Sequence, residues 1–288
     1  SEQQMIQVDI DGHILGANKP AALAVLADAK LFLAALANRL ASLNGRMNRD
    51  SRRRKVAKYR EKAREERAKL DEKLTDMAVP MNPAHVAHVC EQVFPAESVL
   101  VADGGNAAVW AMMFTESRVP NTILSTFKMG MLGAGVAQAT GAAVARPEHP
   151  VCCIIGDGAM GFHPQEVETA VRNGLRVVYV VLCDKQWGMV KMNQQFMLKP
   201  IKTLIKKSLG PDETIKADLG EIRFDDLARS MGAHGERVAD PRELKGALER
   251  ALASGGAAVV HVDVDPVKHM WAPGLMHFKD MHLEPKGK

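Results

Sequence analysis

The residues best placed to do chemistry are two aspartates, each set just past a short apolar run. VCCII (151–155) is followed at once by Gly156-Asp157-Gly158, and VVYVVL (177–182) by Cys183-Asp184. About two dozen residues separate Gly158 from Cys183, among them a helical pattern, PQEVETAVRNG (164–174). Short β-branched apolar runs bounded by turn residues read as buried strands. Two parallel strands joined by a right-handed crossover end on the same edge of their sheet. Asp157 and Asp184 are therefore expected to converge in the crevice where α/β sheets bind ligands. Two carboxylate oxygens there, beside glycines that let backbone approach a phosphate, suit Mg²⁺ shared with a diphosphate. A helix N-terminus just beyond adds attraction for the anion. Gly-Asp-Gly alone is an ordinary strand-to-helix turn; the second aspartate, after a second strand, separates the two readings.

The elements that must position this pair recur along the chain. SVLVAD (98–103), TILS (122–125) and VVHVDV (259–264) are further strand candidates, alternating with helical patterns such as RFDDLARSMG (223–232) and PRELKGALERALAS (241–254). That alternation predicts an α/β fold, a doubly wound parallel sheet with helices on both faces, over residues 81–266. Residues 1–45 hold one strand candidate, IQVDI (6–10), a turn-rich stretch ending at Lys19-Pro20, and an apolar helix with leucines at helical spacing, AKLFLAALANRLASL (29–43). One strand and a helix cannot bury a core, so this zone reads as a piece of a larger domain. Residues 46–80 read as a charged helical linker, and 267–288 as a C-terminal tail and candidate active-site lid.

Composition limits the alternatives. The 288 residues are 47% hydrophobic and 25% charged, with a net charge of +4. No run approaches the ~20 apolar residues that a membrane span needs. The start of the chain lacks the basic-then-apolar order of a secretory signal. Cys152, Cys153 and Cys183 lie in apolar runs and Cys90 in a helical pattern, without metal-ligand spacing. Reduced thiols in a cytoplasmic protein are expected. Arg52-Arg53-Arg54-Lys55 is a basic cluster, but acidic residues are interleaved and Tyr59 is the lone aromatic between residues 46 and 73. A solvated helix is favoured over a nucleic-acid surface.

The 151–190 block resembles the thiamine-diphosphate signature, Gly-Asp-Gly followed after about two dozen residues by Asn-Asn. The chain is most similar to the acetolactate synthase superfamily, which includes 2-hydroxyacyl-CoA lyases and oxalyl-CoA decarboxylases. Residues 1–42 resemble the end of its Rossmann-like central domain, and 81–265 its diphosphate-binding domain. DGGNAAVW (103–110) is similar to the first diphosphate loop, and KMGMLGAGVAQATGAA (128–143) to the strip beneath the cofactor. The resemblance implies that Asp157, Asp184 and the Gln186 backbone carbonyl bind Mg²⁺. It implies that the Gly158 and Ala159 amides, with Asn106 and Ala107, hold the diphosphate, and that Gly156, Trp187, Gly188 and Met189 line the same site. Gly130 is implied to accept a hydrogen bond from the cofactor's 4′-amino group. Leu132 is implied to wedge the cofactor into the bent form in which that group reaches the thiazolium C2 proton.

Three positions depart from the family pattern. Asp184 stands for the second asparagine, adding a negative charge that strengthens metal binding while repelling diphosphate. Ala107 stands where acetolactate synthases carry His, and Lys128 where they carry Gly. Two substrate classes compete. Asp-Lys-Gln-Trp-Gly-Met-Val (184–190) resembles acetolactate synthase and implies 2-oxo acids. The longer AMGFHPQEVET (159–169) resembles the acyl-CoA lyase and oxalyl-CoA decarboxylase branch, and tips the expectation to 2-hydroxyacyl-CoA or related acyl-CoA substrates. Turnover would make the protein a carbon–carbon lyase or carboligase; a cofactor-binding regulatory subunit without turnover is the alternative. Whether ADP, CoA or FAD binds the central domain stays open. Glu166 and Glu168 are expected to serve surface or packing roles, and His163 either lines the pocket or packs the helix start. Trp271, His269, His277 and His282 lie in the tail, which covers the active site in several relatives or hangs loose. In this family a glutamate on a separate pyrimidine-binding domain activates the cofactor. No such domain is legible here, so a second chain is expected to carry it, in an α2β2 or larger assembly.

Overall fold

The protein's structure, a computed structural model, describes residues 4–43, 49–125 and 129–274. It divides into two compact units, Ser1–Glu66 and Arg67–Lys288.

In the first unit, β1 (Ile6–Asp9) and β2 (Leu23–Leu26) pair in parallel, with Ile6 opposite Leu23. β2 was not among the predicted strands. Its LAVL run follows directly on a turn-rich stretch, and four residues are too few to show a period. The helix Ala29–Ser42 starts where expected, because the Asp28 carboxylate accepts from the Leu31 N–H at 3.0 Å. None of its residues is buried, and Leu31 and Leu33 are 69% and 61% exposed. The basic cluster lies on one 23-residue helix, Arg49–Asp71, which runs across the division between the units. Its i,i+4 ion pairs Lys62–Glu66 and Arg67–Asp71 each contribute a few tenths of a kcal/mol, about 0.2–0.5.

The second unit is built on six strands: β3 (Val99–Asp103), β4 (Ile123–Ser125), β5 (Val151–Gly156), β6 (Val177–Cys183), β7 (His234–Val238) and β8 (Ala258–Asp263). All pair in parallel, in the order β4-β3-β5-β6-β8-β7. The central strands read as unbroken apolar runs because both of their faces are covered. Cys152, Ile154, Val178, Val180 and Leu182 enter one core with helices Pro83–Val93 and Pro241–Ala253. Val151, Cys153, Ile155, Tyr179 and Val181 enter the other, with helices Ala134–Ala145, Glu166–Arg172 and Phe224–Ser230. Each such side chain taken fully out of water stabilises the fold by roughly 1.5–3 kcal/mol. All four cysteines are buried free thiols. β7, HGERV, was missed at the sequence level. It sits at the sheet edge, where polar side chains are tolerated and no apolar run is required.

A third cluster gathers Trp110, Phe114, Met192, Met270 and Ala272. It fixes the short helix Pro266–Met270, which Asp265 caps by accepting from the Val267 and Lys268 N–H groups at 2.8 and 2.9 Å. The segment through Ala272 is therefore packed, and the loose-tail expectation fails there. His277 and His282 lie outside the described residues. Among the described residues no helix is long and apolar enough to cross a membrane.

Candidate functional site

Strand β3 has β4 on one side and β5 on the other, so the connections leaving their carboxyl ends run in opposite directions. A crevice must open at that switch point. A cleft of about 520 Å³ lies there, between the loops Asp103–Gly105 and Gly156–Gly158. Its wall includes Asn106, Ala107, Gly130, Leu132, Gly156, Asp157, Gly158, Ala159, Asp184, Gln186, Trp187, Gly188 and Met189. Every residue singled out from the sequence for cofactor or metal is thus brought to one place, from four separate segments of the chain. Gly104, Gly105, Met129, Val190, Asn193 and His269 complete the lining.

Asp157 and Asp184 meet as the crossover geometry requires, and both are buried. Asp157 accepts from the N–H groups of Gly158 and Lys185, each at 2.7 Å, so the two loops are tied through its carboxylate. Lys185 takes a left-handed φ of 58° to present that N–H. Asp184 Oδ2 accepts from Gln186 Nε2 at 2.9 Å and from His269 Nδ1 at 2.8 Å. Burial, and then the negative charge of Asp184, push the Asp157 carboxyl up to about 7 despite its two backbone donors. A pair of carboxylates held in this way favours a cation beside it, which would relieve both effects.

Opposite them, Asn106 opens the helix Gly105–Phe114. Its side-chain oxygen and nitrogen are both buried, with no hydrogen-bond partner among the described residues. Each buried polar atom left unpaired costs roughly 1–3 kcal/mol, so the site holds hydrogen-bonding capacity that only an incoming group can use. Gly188 makes room for this amide, since a Cβ there would lie 2.6 Å from Asn106 Nδ2. Gly158 does the same for Trp187, whose ring would be 2.6 Å from an added Cβ. Trp187, part of the cleft wall, in turn meets Phe162 edge-on at 5.9 Å. A buried carboxylate pair, an unpartnered amide and glycine-lined approaches fit a metal-bound diphosphate.

The remaining sequence candidates fall into place as follows. Leu132 is half-buried, packed on the core beneath the cleft. The Gly158 N–H, expected to bind diphosphate, is engaged by Asp157. His163 is exposed and not part of the cleft wall. Glu166 accepts from Thr169, and Glu168 pairs with Arg172, both local helix contacts. Trp271 donates to the Lys207 carbonyl at 2.8 Å. Lys128 lies outside the described residues. No cluster of three His, Cys, Asp or Glu side chains that could hold a metal occurs among the described residues, so side chains of those types supply two ligands here at most. His269, singled out only within a tail that either covers the active site or hangs loose, lines the cleft and bonds Asp184. It stands 85 residues from Asp184 with no spacing rule to link them.

Residues 103–262 match the family described as thiamine pyrophosphate enzyme, C-terminal TPP binding domain. A probable acetolactate synthase of Mycobacterium bovis is 35% identical over 194 residues, 67% of this chain and 33% of that protein. A 2-hydroxyacyl-CoA lyase 2 of Caenorhabditis elegans is 30% identical over 187 residues, 64% of this chain and 27% of the relative. The chloroplastic acetolactate synthase 1 of Nicotiana tabacum aligns with 100% of the chain at 27% identity, over 42% of its own length. The fold is similar to that of benzoylformate decarboxylase from Polynucleobacter necessarius, with a TM-score of 0.67 at 22% identity, covering 92% of this chain and 45% of that one. The chain spans between 27% and 42% of the length of these curated relatives. The relatives favour the acetolactate synthase reading over the acyl-CoA reading to which the AMGFHPQEVET block had tipped the balance.

Proposed function

The chain belongs to the thiamine pyrophosphate enzymes through that family's C-terminal cofactor-binding domain, and on that premise we propose that it anchors thiamine diphosphate and Mg²⁺ in an enzyme that decarboxylates and joins 2-oxo acids. One observation carries the reading: two buried carboxylates and an unpartnered buried asparagine amide share a single cleft at the switch point of the sheet. Asp157, Asp184 and the Gln186 carbonyl would hold Mg²⁺. Asn106, with backbone from Ala107 and Ala159, would hold the diphosphate. When bound, the cofactor supplies an electron sink for the bond broken beside a carbonyl.

The chain's own side chains do the rest. Leu132 would support the cofactor from beneath, and the Gly130 carbonyl would accept a hydrogen bond from its amino group. Trp187 would keep water from one flank, which strengthens the charge interactions inside. The residues that activate the cofactor and select the substrate would belong to the part of such an enzyme that the relatives carry outside the matched third. Cleavage of 2-hydroxyacyl-CoA thioesters is the second reading, supported by the 30% identity to the Caenorhabditis elegans lyase.

Calorimetric titration with thiamine diphosphate tests the anchoring role: tight binding is expected with Mg²⁺ and not with chelator. Absence of Mg²⁺-dependent binding would overturn it. Product analysis of the complete enzyme then decides the substrate. Release of CO₂ from 2-oxo acids supports the first reading, and cleavage of an acyl-CoA thioester supports the second.

A further inference from the structure

Asp184 stands where the family pattern carries asparagine, and its surroundings show how the extra charge is managed. An asparagine offers a cation one carbonyl oxygen. A carboxylate offers two, and can chelate or swing between them. Here two donors converge on one oxygen only: Gln186 Nε2 at 2.9 Å and His269 Nδ1 at 2.8 Å both meet Oδ2. Among the described residues Oδ1 receives no hydrogen bond. The donor identities follow from chemistry, because a carboxylate can only accept, so the ring nitrogen facing it carries the hydrogen. Gln186 Nε2 also lies 2.7 Å from the Pro266 carbonyl, another pure acceptor, which fixes the amide's orientation.

The clamp is rigid. Asp184, Gln186 and His269 are 7%, 5% and 4% exposed. The backbone carbonyl of His269 accepts from Trp110 Nε1 at 2.9 Å, and Trp110 belongs to the helix that Asn106 opens. The Asp265 cap holds the helix that carries His269. His269 thus links the second aspartate to the asparagine helix on the other side of the cleft.

We propose that His269 is a positioning residue for the cation site: with Gln186 it occupies Oδ2 of Asp184 and leaves Oδ1 as the one ligand oxygen, so that an aspartate serves as a single-oxygen ligand. This rests on the metal assignment made above. Residues that orient a ligand from behind typically change metal affinity roughly 10–100-fold when removed.

The test is a double-mutant cycle on the full chain, read by Mn²⁺ affinity in electron paramagnetic resonance with thiamine diphosphate present. His269→Phe, a ring without donors, should weaken Mn²⁺ binding roughly tenfold or more. His269→Gln, which keeps an N–H donor, should recover most of that loss. In the Asp184→Asn background there is no second carboxylate oxygen to occupy, so His269→Phe should change affinity less than about threefold, a non-additivity that a purely structural role lacks. Equal losses in the two backgrounds would overturn the proposal, as would a His269→Phe variant with unchanged Mn²⁺ affinity. Asp157→Ala separates the layers. If Mn²⁺ binding survives that change, the metal assignment itself has failed. If it is lost while His269→Phe is silent, only the positioning role has.

Discussion

The cleft at the carboxyl edge of the sheet and the helix Ala29–Ser42 each carry groups that their own surroundings do not satisfy, but of opposite kinds. In the cleft the unsatisfied groups are polar and buried: both amide atoms of Asn106 and the Nε2 of His269 have no partner among the described residues. On the helix they are apolar and exposed, Leu31, Leu33, Leu36 and Leu40 among them. The physical consequences differ. A buried polar atom without a partner costs the fold free energy now, and a ligand recovers it. An exposed leucine costs little relative to the unfolded chain and simply contributes nothing. The helix Pro241–Ala253 shows what the same kind of pattern contributes when covered, with Leu244 and Leu248 fully buried.

Four experiments test that contrast. The largest effect is expected at the cleft: Asp157→Ala should weaken Mg²⁺-dependent thiamine diphosphate binding more than about 100-fold, because the anion loses its cationic bridge. Undiminished affinity by calorimetry would remove Asp157 from the metal site. Next, Leu244→Ala should destabilise the protein by about 2–5 kcal/mol in denaturant unfolding, the cost of a cavity in a closed core.

The third concerns pH. The Asp157 carboxyl titrates at about 7 in the fold against an ordinary value near 3.8, so the folded state holds the proton more tightly than the unfolded one. Stability from this group is present at low pH and falls as pH rises from about 4 through 7. Metal-free wild type should therefore lose more stability over that window than Asp157→Asn does, and Mg²⁺ with cofactor should abolish the difference. Parallel melting curves for the two would contradict the burial argument. The smallest effect belongs to the exposed helix: Leu33→Ala should change stability by less than about 0.5 kcal/mol. A loss comparable to that of Leu244→Ala would mean that the leucine face is covered in solution, and the contrast would collapse.

Legibility in the sequence followed burial. β5 and β6 were evident because strands covered on both faces need apolar residues at every position, and the glycine–aspartate and cysteine–aspartate steps after them were evident because an apolar run stops there. β7 was not, because an edge strand bearing Glu236 and Arg237 has no such requirement. β2 was hidden by its brevity. The thirteen residues to which the family resemblance pointed lie in local motifs and line one cleft, whereas the contact of His269 with Asp184 spans 85 residues, for which no local pattern exists. His163, next to the metal loop in sequence, faces outward instead.

Residue types and their spacing are enough to specify the chemistry on offer: which strands are buried, that two aspartates end on one sheet edge, and that glycines flank them. Those properties depend on residue type and spacing within a few dozen positions, where chain stiffness and the handedness of crossovers leave few outcomes. Which oxygen of Asp184 is held, which amide is left without a partner among the described residues, and which apolar helix is covered follow from the packed fold. These depend on how distant segments pack, and a contact between residues far apart in the chain is set by the whole fold, not by either residue's neighbours.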